Sequence, residues 1–112
     1  MKLDIAFKEM DGTEAIENHI RAQAETISRL VAADEHVHVV VGAKPKGHQH
    51  HAEVTWHSKK TAKDFHAKAE GHNLYQQIEE AFEKVQRQAK EAHDRQIDQR
   101  RHATPLKKMP ID

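Results

Sequence analysis

The 112-residue chain has no cysteine, which excludes a disulfide scaffold, a thiolate metal site and a thiol nucleophile. It has no excess of either charge, since 18 Lys and Arg balance 18 Asp and Glu. A dedicated nucleic-acid binder is usually basic overall, so a reading of that kind must rest on where the charges lie. No apolar run approaches the roughly 18 residues that suggest a bilayer span. The longest, Val37 to Val41, is interrupted by His38. The opening stretch from Met1 to Lys8 lacks the apolar core of a signal peptide, so the expected location is the cytoplasm, with no membrane partner. No phosphate-cradling glycine loop, nucleophile elbow or helical His-Glu-x-x-His occurs. The expectation is a protein that is not an enzyme and takes neither a cofactor nor a small-molecule substrate.

What is present suits one domain, because a chain of this length can bury a modest core but not two. Leu3, Ile5 and Phe7 alternate with Lys2, Asp4, Ala6 and Lys8, which predicts a half-buried first strand. Asp11-Gly12-Thr13 reads as a turn, with Thr13 as N-cap and Glu14 and Glu17 in the first turn of a helix. Apolar spacing from Ala15 to Leu30 predicts an amphipathic helix of roughly 18 residues. Val37 to Val41 predicts a second strand, parallel to the first because a helix intervenes. Gly42 to Gly47 reads as a basic loop. Ala52, Val54 and Trp56 define a third strand, and Phe65, Ala67 and Ala69 a fourth, joined through Ser58-Lys59-Lys60. Asn73 is placed to cap a second helix, with Gln76 in capping-box position. Leu74, Ile78, Ala81, Phe82, Val85, Ala89 and Ala92 form its apolar stripe, and Thr104-Pro105 stops it. The order is β-α-β-β-β-α: an α+β fold with a four-stranded mixed sheet and two helices packed on one face. Residues 1–100 form the expected domain, and 101–112 a short, basic, mobile tail.

Two residue classes carry candidate chemistry. From Lys84 to Lys108 there are eight basic residues against Glu91, Asp94 and Asp98. Lys84 and Arg87 stand at i and i+3, off the apolar stripe, where such a row can grip phosphates. The same row also reads as a solvated face with i,i+4 pairs such as Arg87–Glu91 and Glu91–Arg95. Lys44, Lys46, Lys59 and Lys60 are further candidates for phosphate contact, and Arg21 and Arg29 are equally ambiguous. Trp56 and Phe65 fall on the apolar alternation and are expected in the core, not stacking on bases. Histidine is the other class, with 11 residues. His36 and His38 share one face of a strand, and imidazoles at i and i+2 can ligate a transition metal. A defined site needs three or four convergent ligands, which the sequence does not reveal. The expectation is no resident metal, with His48, His50 and His51 as weak candidates.

The string Ala69-Glu70-Gly71-His72-Asn73-Leu74-Tyr75-Gln76-Gln77-Ile78 resembles the strand-to-helix junction of the ribosome hibernation-promoting factors, also described as ribosome-associated inhibitors. Asn73 stands where that family has an acid, and both residue types cap helices. Lys84-Val85-Gln86-Arg87-Gln88 is similar to the family's Lys-Leu-x-Arg-Gln segment, and the likeness extends over about residues 1–95. Glu91 and Asp94 depart from the family, whose second helix continues basic, and Gln23 and Thr26 stand where lysines are frequent.

The resemblance implies a double-stranded-RNA-binding-domain-like fold. It also implies a short-form factor that binds the small ribosomal subunit in the mRNA and tRNA channel, against the backbone of 16S-type rRNA. Such a factor represses idle ribosomes under stress or in stationary phase. It implies Lys84 and Arg87 as phosphate contacts, with Lys8 weaker, while Lys90, Arg95, Lys44 and Lys46 are added on charge alone. Off the ribosome the chain is expected to be monomeric. The alternative is a divergent member of the fold that serves as a protein- or metal-interaction module without ribosome binding.

Overall fold

A computed structural model describes residues 1–44, 49–59 and 63–106, with Lys63 and residues 96–106 described by backbone alone. The elements are β1 (Lys2–Lys8), α1 (Glu14–Glu25), β2 (His36–Lys44), β3 (Gln49–Ser58), β4 (Lys63–Gly71) and α2 (Leu74–Leu106). The sheet order is β1-β2-β3-β4, with β1 parallel to β2 and the other pairs antiparallel. The parallel pair follows from α1, which carries the chain back along the sheet before β2 begins.

α1 starts as its sequence predicts. Thr13 is extended, and its hydroxyl accepts from the Ile16 amide at 3.2 Å. The helix ends at Glu25 after 12 residues, shorter than the apolar spacing predicts. The cause is local. The Thr26 and Ser28 hydroxyls donate to the carbonyls of Gln23 and Glu25, at 2.6 and 2.8 Å. The amides of Thr26, Ile27 and Ser28 turn to carbonyls three residues back, and the helix tightens into successive turns. A three-residue turn repeat keeps Ile27 and Leu30 on the inner side, so the apolar pattern outlasts the α-helix.

Gly42, Ala43 and Lys44 belong to β2, not to the expected loop. They pair with His51, His50 and Gln49, so the histidine-dense segment lies in β3. Gly42 serves close packing there, because a Cβ would stand 2.4 Å from the His51 ring and 2.9 Å from the Lys8 carbonyl. Pro45, Lys46, Gly47 and His48 lie outside the described residues.

One face of the sheet is the core. Val37, Val39 and Val41, then Ala52, Val54 and Trp56, then Phe65, Ala67 and Ala69 are all buried. Ile16, Ile20, Ala24 and Ile27 meet them from the first helical segment, and Leu74, Ile78, Phe82 and Val85 from α2. Trp56 and Phe65 are core, with ring centroids 5.1 Å apart. Each fully buried side chain of this size contributes about 1.5–3 kcal/mol. Leu3, Ile5 and Phe7 of edge strand β1 are only half-buried.

Glu35 breaks the apolar pattern from inside. It is 1% exposed. Its carboxylate accepts from the Ala32 amide (2.9 Å), the Trp56 indole (3.2 Å) and the Lys59 amide (2.5 Å). The carboxylate thus ties the turn before β2 to the end of β3.

Ala89 is the last buried residue of α2 among the described side chains, and the helix runs on to Leu106. Residues 101–106, expected in a tail, are therefore helical, and 107–112 lie outside the described residues.

Candidate nucleic-acid interface

The basic residues of α2 divide over three directions because the helix turns about 100° per residue. Lys84 leans over the outer edge of β4, where its ammonium donates to the Lys68 carbonyl at 3.2 Å. One turn on, the Gln88 amide nitrogen donates to the His66 carbonyl at 2.9 Å, and its oxygen accepts from the His66 amide at 3.2 Å. Gln88 therefore stands in for a neighbouring strand on an edge that would otherwise present bare backbone.

Lys90 faces the opposite flank. There the last turn of α1 and the middle of α2 enclose a cleft of about 400 Å³ lined by Glu25, Thr26, Arg29, Leu30, Gln86 and Lys90. Arg87 lies between these flanks and pairs with Glu83 at 3.1 Å. Arg95 approaches Glu91 to 3.8 Å. The i,i+4 pairing expected for Arg87 thus forms backwards to Glu83. A glutamate one turn N-terminal to its arginine is the better-oriented arrangement.

Lys44 and Lys68 both reach Glu70, at 2.5 and 3.4 Å, and hold its carboxyl below the ordinary carboxylate range through their hydrogen bonds and charge. Lys8, at the exposed end of β1, has no acidic partner among the described residues, and neither do Lys84, Lys90 and Arg29. Lys46 lies outside the described residues.

The structure therefore anchors Lys84 at the Lys68 carbonyl on one flank of α2, and brings Lys90 beside Arg29 on the other. Lys68 was not singled out in the sequence because it reads as an ordinary polar position in the β4 alternation. Its side chain lies on the open face of the sheet with Glu70, and only its carbonyl meets Lys84. His50 and His51 are consecutive in a strand and so point to opposite faces, and His48 lies outside the described residues.

The model of the family described as sigma 54 modulation protein / S30EA ribosomal protein matches residues 3–97. The chain belongs to that family. The hibernation-factor resemblance of the Gly71 junction agrees with it, and this family member is a ribosome-associated modulation factor. Solved structures share the fold. The protein Y N-terminal domain of Thermus thermophilus superposes with a TM-score of 0.68 at 18% identity, over 81% of this chain and 98% of that one. A ribosomal subunit interface protein from Coxiella burnetii gives 0.69 at 10% identity, over 84% and 99%. No curated protein sequence matches the chain. At such identities the likeness carries the β-α-β-β-β-α architecture and nothing about individual contacts. Among the described residues, no helix is long and apolar enough to cross a membrane.

Proposed function

We propose that this family member docks on the small ribosomal subunit in the channel for messenger and transfer RNA. There it represses translation by idle ribosomes in stress or stationary phase, and it works in the cytoplasm. The observation that carries this reading is the family match across residues 3–97. The contacts are to rRNA phosphates. Lys84 on one flank of α2, and Lys90 with Arg29 on the other, supply cations that have no acidic partner among the described residues. Arg87 and Arg95 contribute by exchanging Glu83 and Glu91 for phosphate oxygens, a trade of one ionic hydrogen bond for another. Lys8 and Lys44 extend the contact at the neighbouring ends of β1 and β2, and Lys46 adds to it on the strength of its charge.

Co-sedimentation with purified small subunits across a salt series tests this. The protein pellets at low salt and is released as salt rises, because neutralised phosphates recapture their counterions. The double variant Lys84→Glu, Arg87→Glu remains folded by circular dichroism and no longer pellets. Equal pelleting of the folded double variant would remove α2 from the interface. Absence of wild-type pelleting at low salt would overturn the reading.

A further inference from the structure

The face of the sheet turned away from the helices carries a feature that phosphate binding does not use. Asp4 of β1 lies opposite His38 of β2 in the parallel register, and His36 is two residues before it on the same side. Both imidazoles direct Nδ1 at one oxygen, Asp4 Oδ2, from 3.8 Å for His36 and 3.2 Å for His38. Their rings are within 5° of parallel, with centroids 5.9 Å apart. One donor atom from each of the three residues lies within 4.8 Å of the other two.

We propose that Asp4, His36 and His38 bind a divalent transition cation of the zinc class on the open face of the sheet. Metal–nitrogen and metal–oxygen bonds of about 2.0–2.2 Å place tetrahedral ligand atoms roughly 3.4 Å apart. The observed 3.2 and 3.8 Å to Asp4 bracket that spacing, and all three donor atoms lie within 4.8 Å, a set that side-chain rotation can close on an ion. Two imidazoles and one carboxylate select zinc, copper or nickel over magnesium or calcium, which prefer all-oxygen sets. Three protein ligands leave at least one position for water. The side chains are roughly half exposed, at 47% for His36, 43% for His38 and 62% for Asp4, so an ion reaches them from solvent. Lys2 stands opposite His36 in the register and offsets the Asp4 charge, so affinity comes from ligation and not from long-range attraction.

His57 of β3 completes the surroundings. Its ring is 5.3 Å from that of His38, and Asp64 holds its Nδ1 at 3.0 Å. A carboxylate that fixes one ring nitrogen leaves the other as the donor, as in the carboxylate–histidine pairs that support metal sites. The sequence offered the His36–His38 pair but no third ligand, because the decisive partner, Asp4, is 34 positions from His38 and meets it only through the parallel register.

Calorimetric titration of the full chain with zinc chloride, beside imidazole 15N spectra, tests the site. Zinc binds with one ion in the tightest class and moves the Nδ1 resonances of His36 and His38. Asp4→Asn and His38→Gln each weaken that class at least about tenfold, the loss expected when a metal's immediate environment is damaged. His50→Gln with His51→Gln leaves it unchanged. These positions are exposed or half-exposed, and unaltered circular dichroism verifies the fold of each variant. Unchanged zinc affinity in the Asp4→Asn, His36→Gln, His38→Gln triple variant, or unmoved Nδ1 resonances, would overturn the proposal. Both measurements use the free protein, so their outcome is independent of whether it binds ribosomes.

Discussion

Glu35 shows how much one residue can hold together. Its carboxylate gathers donors from Ala32 in its own turn and from Trp56 and Lys59 at the far end of β3. Its own carbonyl accepts from the Lys2 amide at 2.8 Å and fixes the start of β1. Glu35→Ala strands buried donors at about 1–3 kcal/mol each, so the domain loses on the order of 3 kcal/mol or more. A urea midpoint within error of the wild type would refute that role. Glu70 is the exposed counterpart. Lys44 and Lys68 depress its titration, so their stabilisation is present above the ordinary carboxylate range and is lost as pH falls through the lowered value. Lys44→Ala moves the Glu70 side-chain titration, followed by carboxyl 13C shifts, back upward. An unmoved midpoint would assign the depression to Lys68 alone. Because Glu70 is exposed to solvent, the effect is a local one.

At the scale of elements, periodicity was the most legible signal. β1, β3, β4 and the start of both helices stand where alternation and capping residues place them, because each has one face in water and one in the core. The end of α1 and the length of β2 were not legible, for different reasons. Thr26 and Ser28 stop the helix through side-chain bonds that leave the apolar spacing intact. Gly42 looks like a turn residue until the His51 ring over it explains why a side chain is excluded. The α2 basic residues were legible as candidates, but their division between two flanks depends on how the helix crosses the sheet. The same crossing makes Gln88 a structural residue. Gln88→Leu leaves the His66 amide and carbonyl without their side-chain partner. We expect a loss of about 1–2 kcal/mol in thermal unfolding, with faster amide exchange at His66 than at Ala67. Equal protection factors in wild type and variant would show that the edge is covered by other means.

For the whole molecule, balanced charge is arranged by face. The open side of the sheet holds histidines against acids: His36 and His38 at Asp4, His57 at Asp64, His66 at Glu53. Among the described cations without an acidic partner, Lys84, Lys90 and Arg29 border α2, while Lys8 stands at the end of β1. A molecule with 18 charges of each sign gains little from its overall field when it approaches a polyanion. Its salt-dependent binding to small subunits therefore reports the few phosphates met by these flanks. In the sedimentation series, the slope of log affinity against log salt should fall by about one for each such cation removed. Family membership was legible because the Gly71 junction joins a strand end, a cap and a helix start in a few consecutive residues. The Asp4–His38 meeting was not, since a parallel register is written in no local stretch of chain.

The side chain of Gln88 has a further consequence, one of symmetry. At His66 and Lys68 the rim of β4 is engaged by the protein's own helix, so the two rims of the sheet are unlike. A strand added along the middle of β4 would have to displace Gln88 and Lys84 first, a cost that strand addition along β1 does not carry at those positions. The residue that completes one strand's hydrogen bonds thus also biases how the sheet can be extended.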